Sequence, residues 1–418
     1  MKLRRPLFEE AGSLDTVSAP KIAHITTIDQ SLDYLLLNQL QSFQRAGYEV
    51  VGIAAPGPHV SRIESAGIRF LPVYMTRNFT PLTDLFSLWQ LWRVIRRERF
   101  VIVHTHNPKP GLLGQLAARF AGTPVVINTL HGFYFHDHMR PLGRRFYIML
   151  ERLAALCSDL ILSQNREDMI TAKQERIGRP SQMRYLGNGI DLTVFDPGRF
   201  SAEAVSQRRA KLNIPVEAPV VGFVGRLAGR RKGFLDFLAA ASAIAQQLPE
   251  ARFLIIGEAD HGKPDAVEPS IATDYGIADR CLFLGRQANE DLPLLYCVMD
   301  LLVLPSLFEG VPRVVMEAAA MGIPAVVTDV KGNREAVERG RNGLLVPLGD
   351  VAALQEAILA ILTNREDALR MGAEGRRLAQ ERFDERLIFA HIRAEYARLL
   401  RREGLSPPPT IEEVQGVY

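Results

Sequence analysis

Short apolar runs alternate with amphipathic segments along the chain, and both halves follow this plan. In the first half the apolar runs predict strands at Lys21–Thr26, Tyr48–Ala54, Ile68–Val73, Val101–His104, Val125–Thr129 and Asp159–Ser163. In the second half they predict strands at Val220–Gly225, Arg252–Gly257, Cys281–Leu284, Asp300–Leu304, Ala325–Thr328 and Leu344–Val346. Segments with apolar residues at helical spacing lie between them, among them Leu32–Ala46 and Gly111–Phe120. This alternation predicts an α/β fold with parallel sheets covered by helices.

The length of the chain predicts two domains. A chain of 418 residues is too long for one core and long enough for two of ordinary size. A polar stretch near residues 200–219 separates the two groups of strands. We therefore expect Rossmann-like domains at residues 21–205 and 215–385, facing each other across a cleft. A helix at 386–402 is predicted to cross back to the first domain, with a flexible leader at 1–20 and a disordered tail at 403–418.

Composition narrows the class of protein. The chain is 47% hydrophobic and 23% charged, which is typical of a globular protein. Its three cysteines, Cys157, Cys281 and Cys297, are scattered within apolar runs and predict reduced thiols in a cytosolic protein. No apolar run reaches the roughly 20 residues that a membrane-spanning helix needs. The N-terminal segment lacks the apolar core of a signal peptide.

A glycine- and cation-rich loop follows the first predicted strand of the second half. The segment Gly225-Arg226-Leu-Ala-Gly-Arg230-Arg231-Lys232-Gly233 joins a near-continuous apolar run to an apolar helix. Glycines and cations between a strand and a helix favour anion binding. Arg226 can grip a phosphate with its planar fork, and Lys232 adds a point charge. A solvated basic loop is the alternative, and it suits the two inner arginines better than Arg226 and Lys232.

Two glutamates eight residues apart flank a predicted helix start in Glu309-Gly-Val-Pro-Arg-Val-Val-Met-Glu317. The helix is predicted at Pro312–Met321, with Pro312 in its first turn. A carboxylate at the mouth of a helix can bind sugar hydroxyls, and the free N–H groups and dipole there attract an anion. A sugar diphosphate needs both. A surface helix with two solvated glutamates is the alternative.

Together the two segments resemble glycosyltransferase family 4, whose members are retaining nucleotide-sugar enzymes with the GT-B fold. The family pattern is Gly-Arg, five residues, Lys-Gly, and then two glutamates eight apart, which Gly225-Arg226…Lys232-Gly233 and Glu309…Glu317 match. The segments Ala318–Asp329 and Asn342–Pro347 continue the resemblance, which covers roughly residues 20–400. Glu309–Arg313 and Thr328–Glu335 look most like the bacterial branch that builds capsular and lipid-linked oligosaccharides.

The resemblance implies a nucleoside-diphosphate sugar bound mainly by the second domain. Glu317 would hold the ribose hydroxyls and Glu309 a donor-sugar hydroxyl, while Arg226 and Lys232 neutralise the leaving diphosphate. No cofactor or divalent metal is then expected, and the chain contains no Asp-x-Asp. Base recognition is expected from main-chain groups near Leu284–Gln287. The expected donor-binding residues are Gly225, Arg226, Lys232, Arg286, Glu309, Gly310, Val311 and Glu317.

Histidines end two predicted strands of the first half. His131 follows Val125–Leu130, and it matches a family histidine that lies near the donor sugar. The resemblance therefore adds His131 to Glu309, Arg226 and Lys232 as a candidate catalytic residue, with a buried structural histidine as the alternative. On the acceptor side, His106 is expected to face the cleft, and Lys109 to hold a phosphorylated acceptor.

The first loop departs from the family pattern. Many members have a Gly-Gly turn after the first strand, where this chain has Thr26-Thr-Ile-Asp-Gln-Ser-Leu-Asp33. Side chains there could replace the missing amides, or the loop could serve the acceptor, with Thr27 as a candidate. In the Glu309 loop, Pro312-Arg313 removes one possible backbone donor. Asn-Gly within Gly187–Asp191 matches the family near the inter-domain connection and is also a generic turn.

Other motifs in the chain are excluded as sites. Gly257-Glu-Ala-Asp-His-Gly-Lys263 mimics a phosphate-binding loop, but Pro264 replaces the required Ser or Thr. No Gly-x-Gly-x-x-Gly follows the first strand, so a nicotinamide enzyme is disfavoured. His131, His136 and His138 lack the spacing and companions of a metal site.

Basic charge is concentrated in two amphipathic segments of the first half. In Asp84–Phe100 one helical face carries apolar side chains and the far end carries arginines, which are Arg93, Arg96, Arg97 and Arg99. Met139–Arg152 repeats the theme. Such helices suggest peripheral contact with an anionic membrane, and an ordinary packed helix with solvated arginines is the alternative. Nucleic acid is not an expected partner, because no nucleic-acid module is present.

The expected activity is transfer of a hexose or N-acetylhexosamine from a UDP-sugar to a glycan or polyprenyl-diphosphate-linked acceptor, with retention. The expected location is the cytoplasm, at the inner face of the membrane. Two alternatives remain open: a sugar-nucleotide epimerase of the same fold, which would need no acceptor, and a non-catalytic nucleotide-sugar-binding protein.

Overall fold

The structure of the protein, a computed structural model, describes residues 19–76, 80–106, 108–136, 139–259, 261, 263 and 265–409. These residues form two compact units. The first unit contains the described chain up to Leu186 and from Phe389 onward, and the second contains Gly187–Ile388. Residues 1–18 of the predicted leader and residues 410–418 of the predicted tail lie outside the described residues.

A seven-stranded parallel sheet forms the centre of the first unit, in the order β3-β2-β1-β4-β5-β6-β7. Its strands are β1 Lys21–Ile28, β2 Glu49–Ala55, β3 Arg69–Pro72, β4 Ile102–His106, β5 Val125–Leu130, β6 Leu160–Ser163 and β7 Met183–Tyr185. All six predicted strands are confirmed. The seventh, β7, was missed because it is three residues long and two of them are exposed.

A six-stranded parallel sheet forms the centre of the second unit, in the order β10-β9-β8-β11-β12-β13. Its strands are β8 Val220–Val224, β9 Arg252–Ile256, β10 Cys281–Phe283, β11 Leu301–Leu304, β12 Ala325–Thr328 and β13 Gly343–Val346. Both faces of this sheet are covered: Val220 and Val224 join one core, and Val221 and Phe223 join another. Burial on both faces explains why the strands are apolar throughout.

Helices cover both sheets. In the first unit they are α1 Asp29–Ser31, a π-helical turn Leu32–Leu36, α2 Leu37–Arg45, α3 Val60–Ser65, α4 Pro81–Glu98, α5 Pro108–Ala121, α6 Pro141–Cys157 and α7 Arg166–Gln174. In the second they are α8 Ala202–Lys211, α9 Phe234–Gln247, α10 Leu292–Val298, α11 Arg313–Ala320, α12 Asn333–Ala336, α13 Val351–Thr363 and α14 Arg365–Arg382. The last helix, α15 Glu385–Arg402, begins in the second unit and continues in the first. The predicted α/β class with two Rossmann-like units is confirmed.

The chain leaves the first unit earlier than predicted, at Leu186 instead of near residue 205. Ile190 and Phe195 are buried in a core of the second unit, where the Phe195 ring lies 6.1 Å from that of Tyr296. The Ile190 N–H also donates to the Phe383 carbonyl at 2.8 Å. These contacts bind the segment after Leu186 to the second unit before its first strand begins.

The described part of the predicted disordered tail is ordered against the first unit. The Leu405 N–H donates to the Leu400 carbonyl at 2.9 Å. A Cβ atom on Gly47 would stand 3.0 Å from Pro408 Cβ, so the two residues are in contact. Residues 403–409 therefore pack on the first unit, which contains α15 from Phe389 onward.

In each sheet the strand order reverses beside the first strand of the unit. The reversal lies between β1 and β4 in the first sheet and between β8 and β11 in the second. Connections leave such neighbouring strands in opposite directions, which opens a crevice at their carboxyl ends. Ligands of open parallel sheets bind in this crevice, so each unit has its own candidate binding loops, after β1 and β4 in the first and after β8 and β11 in the second.

Candidate active site

The two motifs of the second half meet at the crevice of the second sheet. One forms the loop after β8, and the other forms the loop after β11. The Leu307 N–H donates to the Arg231 carbonyl at 3.1 Å, which joins the two loops. Gly233 has φ +66, and a Cβ atom there would stand 1.9 Å from the Pro305 carbonyl oxygen. Only glycine allows this approach, so the sequence brings two distant segments to one place.

An ion pair joins the two motifs directly. Lys232 Nζ lies 2.5 Å from Glu309 Oε1, and the two side chains are 18% and 13% exposed. The pair is half-shielded, so its charges interact more strongly than they would on an open surface. A ligand that carries both phosphates and hydroxyls can replace this pair. Its phosphate would bind the Lys232 ammonium, and its hydroxyls would bind the Glu309 carboxylate.

Arg226 opens the loop after β8 at the same edge. Gly225 precedes it, and its N–H donates to the Ile256 carbonyl of the neighbouring strand at 2.9 Å. The Arg226 carbonyl accepts from the Ala228 N–H at 2.8 Å, which turns the chain tightly. The Arg226 side chain is half-buried, whereas Arg230 is exposed. Arg231 is part of the loop packing, since its guanidinium lies 5.1 Å from the centre of the Phe308 ring.

Two residues that the sequence analysis named only within family-like segments, without a role at the site, support the Glu309 loop. Gly332 has φ +73, and a Cβ atom there would stand 2.1 Å from the Gly310 carbonyl oxygen. Asn188 Nδ2 donates to the Val311 carbonyl at 3.3 Å. Gly310 and Val311 are thus held by backbone contacts. In the sequence, Gly332 is marked by the Lys-Gly-Asn turn after β12 and Asn188 by the Asn-Gly pair. Both patterns are also common in turns that have no role at a site.

Glu317 lies in helix α11 and is almost completely buried. Its Oε2 accepts a hydrogen bond from the Tyr296 hydroxyl at 2.9 Å, and Arg313 Nε lies 3.8 Å from its Oε1. Burial raises the pKa of the Glu317 carboxyl, which Arg313 and the Tyr296 hydroxyl oppose. The helix begins at Arg313, so Pro312 is its N-cap and not part of its first turn as predicted. Tyr296 was missed because it lies in an apolar helix, α10.

Arg286 follows β10 at the outer edge of the same sheet. It is exposed, and Gly285 before it has φ +63. Gln287 Nε2 donates to the Leu284 carbonyl at 2.6 Å and so fixes the turn. The predicted base-recognition segment therefore lies two strands away from β8 in the sheet.

His131 lies at the carboxyl edge of the first sheet, directly after β5. It is half-buried, and its Nε2 lies 3.2 Å from Nδ1 of His106. His106 itself is buried at the end of β4 and does not face an open crevice as predicted. Its two ring nitrogens contact two other histidines, His24 and His131.

Lys109 occupies the first turn of α5 and is buried. Its Nζ donates to Thr76 Oγ1 at 2.6 Å and forms an ion pair with Asp84. Lys109 is therefore a buried structural cation and not the phosphate-binding group that the sequence predicted. A lysine buried in this way would leave Asp84 without its cation if a phosphate drew it outward.

The loop after β1, which replaces the family's Gly-Gly turn, is occupied by structural hydrogen bonds. Asp29 is buried; its Oδ1 accepts from the Gln30 N–H and its Oδ2 from the His59 N–H, both at 2.8 Å. Thr27 is buried within β1. Asp29 thus satisfies backbone groups of the first unit, and Asp33 pairs with the side chains of His59 and Arg62.

Helices α4 and α6 expose a large amount of apolar surface. The buried face of α4 is Ser87, Leu91 and Ile95, so Trp89 is not in the core and is 47% exposed. Arg93 and Arg96 stack on Trp89 and Trp92 at 5.6 and 5.7 Å. A hollow of about 370 Å³ is lined by Leu85, Leu88, Trp89, Trp92 and Phe120. In α6 the exposed apolar residues are Leu142, Phe146, Met149, Leu153 and Leu156.

Parts of the excluded motifs lie outside the described residues. Asp260, Gly262 and Pro264 of the loop after Gly257 are among them, and so are Asp137 and His138. Across the residues that the structure does describe, helices that are both long and apolar enough to span a bilayer are absent.

Comparisons with known proteins match both halves of the chain. The family model described as Glycosyl transferases group 1 matches residues 218–364, and the Glycosyl transferase 4-like domain matches residues 35–189. The chain is 30% identical to the putative glycosyltransferase EpsD of Bacillus subtilis, over 87% of this chain and 93% of EpsD.

Two further similarities concern an Escherichia coli enzyme and a solved structure. The chain is 29% identical to a UDP-Gal:alpha-D-GlcNAc-diphosphoundecaprenol alpha-1,3-galactosyltransferase, over 84% of this chain and 90% of that enzyme. Its fold resembles Anabaena Alr3699/HepE in complex with UDP and glucose, with a TM-score of 0.77 at 21% identity, covering 90% and 99% of the two chains. The chain therefore belongs to the group 1, family-4-like glycosyltransferases and is an enzyme of the GT-B type.

Proposed function

We propose that this enzyme transfers a hexose or N-acetylhexosamine from a nucleoside-diphosphate sugar, with UDP-sugars favoured, to a lipid-linked or glycan acceptor with retention of anomeric configuration. The observation that carries the proposal is the Lys232–Glu309 pair, which joins the two motif loops at the crevice of the second sheet. A ligand with both anionic and hydroxyl groups can bind both members of such a pair, the anion to Lys232 and the hydroxyls to Glu309.

The donor diphosphate is expected to bind Arg226 and Lys232. A diphosphate carries more charge than one carboxylate, so it competes with Glu309 for the Lys232 ammonium. Glu309 is then released to accept hydrogen bonds from hydroxyls of the donor sugar. The chain thereby offers the sugar a carboxylate only when the diphosphate is in place.

Glu317 is expected to bind the ribose. Its carboxyl is buried and held by Tyr296 on one oxygen. A buried carboxylate recognises a pair of hydroxyls strongly, because water does not compete for it. Main-chain groups near Arg286 are proposed to meet the base.

Bond breaking is assisted by cations that are already positioned. Negative charge develops on the diphosphate as the glycosidic bond breaks, and in this proposal Arg226 and Lys232 of the β8 loop stabilise that charge. In this proposal the Arg226 and Lys232 charges replace a divalent metal. His131, at the carboxyl edge of the first sheet, is kept in this proposal as a catalytic candidate, as the family resemblance implies.

The acceptor is proposed to be lipid-linked. The relative in Escherichia coli acts, by its name, on a diphosphoundecaprenol-linked sugar. The exposed apolar residues of α4 and α6 lie beside arginines, a combination that favours anionic membrane surfaces. We therefore place the enzyme in the cytoplasm, at the inner face of the membrane.

A donor screen tests the activity. The purified full chain is incubated with a panel of UDP- and GDP-sugars, with and without a short-chain polyprenyl-diphosphate-linked monosaccharide, in buffer containing EDTA. We expect one UDP-sugar to be consumed only when acceptor is present, and the anomeric proton coupling of the product to match that of the donor. Conversion of the nucleotide sugar without acceptor would identify an epimerase, and tight binding without turnover would identify a sensor.

Liposome flotation tests the membrane surface. Wild-type protein is expected to float with vesicles containing anionic lipid and to remain below with neutral ones. A Trp89→Ser, Arg93→Ser variant should lose flotation, whereas a control with Arg376→Ser, in the second unit, should keep it. Equal flotation of both variants would remove α4 from the membrane contact.

A further inference from the structure

One histidine of the first unit is held by two buried carboxylates at the carboxyl edge of the sheet. His59 follows β2, and Asp29 and Asp33 follow the neighbouring strand β1. The His59 N–H donates to Asp29 Oδ2 at 2.8 Å, and the distance from His59 Nδ1 to Asp33 Oδ2 is also 2.8 Å. Both aspartates are buried, whereas the His59 side chain is 18% exposed. The backbone and the ring of His59 are therefore fixed separately.

The start of helix α3 does not account for these contacts. His59 is the N-cap residue of α3, but its side chain makes no capping hydrogen bond. Asp33 lies in the π-helical turn Leu32–Leu36, a rare backbone form that is frequent at functional sites. Tyr34, from the same turn, meets the imidazole edge-on, with the ring centres 4.9 Å apart. The irregular turn thus supplies two of the groups that orient the His59 ring, as supporting residues do at binding sites.

The contact with Asp33 leaves Nε2 as the nitrogen of His59 that a ligand can use. A carboxylate only accepts hydrogen bonds, so Nδ1 carries the proton that it donates to Asp33, both in the neutral ring and in the protonated one. Among the residues that the structure describes, Nε2 of His59 has no hydrogen-bond partner. A partly exposed ring with one nitrogen fixed and the other without a protein partner is suited to ligand binding.

A sugar hydroxyl fits Nε2 in either protonation state of the ring. A hydroxyl both donates and accepts, so it pairs with a bare Nε2 or with an Nε2–H. A phosphate pairs only with the protonated ring, and it would also meet the negative charges of Asp29 and Asp33 beside His59. Arg62 Nε lies 3.2 Å from Asp33 Oδ1, so this cation is already paired with one of the two carboxylates. The local charge therefore favours a neutral sugar.

We propose that His59 binds a hydroxyl of the acceptor sugar through Nε2, and that Asp29 and Asp33 are positioning residues that hold its backbone and its ring. This inference rests on the proposed transfer, because it assigns the acceptor side of that reaction to the loops after β1 and β2. A partly exposed side chain is needed there, since the acceptor-side residues expected from the sequence are buried, namely Thr27, His106 and Lys109.

Binding of simple glycosides to the full chain tests the proposal without turnover. Methyl glycosides of glucose, galactose, N-acetylglucosamine and N-acetylgalactosamine are titrated, in buffer with UDP, into protein that carries ¹³C-labelled histidine. The His59 ring signal is identified by its loss in His59→Asn. We expect a saturable shift of this signal with at least one glycoside, and none with sodium phosphate at equal ionic strength. A saturable shift with phosphate, or none with every glycoside, would overturn the proposal.

His59→Asn separates a ligand contact from a structural role. The asparagine amide can still donate to Asp33, but it places no atom at the position of Nε2, so a purely structural role predicts normal kinetics. We expect the acceptor KM to rise about three- to tenfold, the loss of one hydrogen bond, with the donor KM unchanged. His59→Gln, which places a polar group near the position of Nε2, should recover part of the affinity.

His391→Asn is the matched control for His59→Asn, because His391 is an exposed histidine of the first unit. It is expected to keep the wild-type acceptor KM. An unchanged acceptor KM in folded His59→Asn, or equal changes in the two variants, would refute the contact. Glycoside binding at His59 without any transfer would leave this site standing and refute the proposed reaction. Transfer with an unmoved His59 signal would refute the site alone.

Two substitutions of Asp33 test its positioning role. Asp33→Asn keeps an oxygen that accepts from Nδ1–H of His59, and Asp33→Ala keeps none. We expect the acceptor KM to rise about three- to tenfold in Asp33→Ala and by less in Asp33→Asn, again with the donor KM unchanged. Amide spectra confirm folding of both variants. Equal losses in the two would show that the hydrogen bond to His59 does not act on the acceptor, and the glycoside titration of wild-type protein decides the proposal if neither variant folds.

Discussion

The carboxyl edges of the two sheets carry side chains of different chemical character. The edge of the second sheet carries charges on loops, with Lys232 paired to Glu309 and Arg226 close to the strand end. The edge of the first carries histidine rings: burial lowers the pKa of His106, which lies 3.2 Å from the half-buried His131. Charges on loops suit a ligand that arrives with charge, and histidine rings suit hydroxyls whose orientation matters. This difference shows that charged loop residues are enough to propose the ligand class of the second unit. For the first unit, the direction of the hydrogen bonds must also be known.

Removing a cation from the charged edge should have the largest effect. Arg226→Ala is expected to lower kcat by about 10²–10³-fold, or roughly 3–4 kcal/mol, because charge on the leaving diphosphate loses a preorganised partner. The measurement is steady-state transfer with the donor identified by the screen.

Arg230→Ala is the matched control for Arg226→Ala, since Arg230 lies in the same loop and is exposed. It is expected to retain activity within about twofold. Similar losses in both variants would mean that the loop acts through its total charge, and the assigned role of Arg226 would be wrong.

Acid should destabilise the first unit more than the second. In the folded protein, burial lowers the pKa of His24 to about 3 and also lowers the pKa values of His104 and His106. Below about pH 6.5 the unfolded chain therefore binds protons at these histidines that the folded unit does not bind. Their stabilising effect is complete above pH 6.5 and is lost as the pH falls toward 3. From pH 7 to 5 we expect the first unit to lose unfolding free energy, because its buried imidazoles take up protons only on unfolding. Glu151, whose pKa burial raises to about 7, with Asp168 adding to the shift, acts in the opposite sense and reduces the loss.

Hydrogen exchange resolved by peptide, at both pH values, measures this loss in each unit. The second unit is the internal control, because the raised pKa of Glu317 makes that residue stabilising as the pH falls toward 4.5. Equal acid sensitivity of the two units would show that the histidines are protonated in the folded state.

A methyl group under the charged edge should have a smaller effect. Gly332→Ala puts a Cβ atom against the Gly310 carbonyl at a positive φ, and we expect about 3 kcal/mol of destabilisation with reduced transfer. Gly340→Ala is the matched control, with φ +75 and open space around its Cβ position, and should lose about 1 kcal/mol with normal activity. Denaturant unfolding measures the loss of unfolding free energy in each variant. Equal losses would show that the Glu309 loop moves away from the added methyl group at little cost.

Tyr296→Phe should have the smallest effect on the charged edge. It removes the hydrogen bond to Glu317 Oε2, and we expect the donor KM to rise about three- to tenfold, or roughly 1 kcal/mol, with little change in kcat. Tyr275→Phe, which packs against the other core of the second unit, is the control. A fall in kcat at constant KM would contradict a role of Glu317 in ribose binding.

The fold could be predicted because parallel strands buried on both faces leave a strong apolar signal. All twelve predicted strands are present, and β7 was missed because three residues at a sheet edge carry little pattern. The earlier domain boundary was missed because Ile190 and Phe195 look like linker residues until their partners in the second unit are known.

The charged edge could also be predicted, since glycines and cations in loops have few structural uses. The histidine-lined edge of the first sheet could not. His24, His104 and His106 occupy strand positions like any buried residue, and Tyr396 contacts two of them across 292 and 372 residues of sequence. His106 and Lys109 were expected to be open because polar residues at strand ends usually are, but here other polar groups bury them.

Helix α15 has a consequence for synthesis of the protein. Tyr396, Leu399 and Leu400 are fully buried in the first unit, although the whole of the second unit precedes them in the chain. On the ribosome the second unit is therefore complete before the first, whose core waits for the last helix to emerge. Until then the nascent first sheet lacks Tyr396, whose hydroxyl contacts His104 and His24, so a chain stalled just after Ile388 would carry a complete second unit and an unfinished first one.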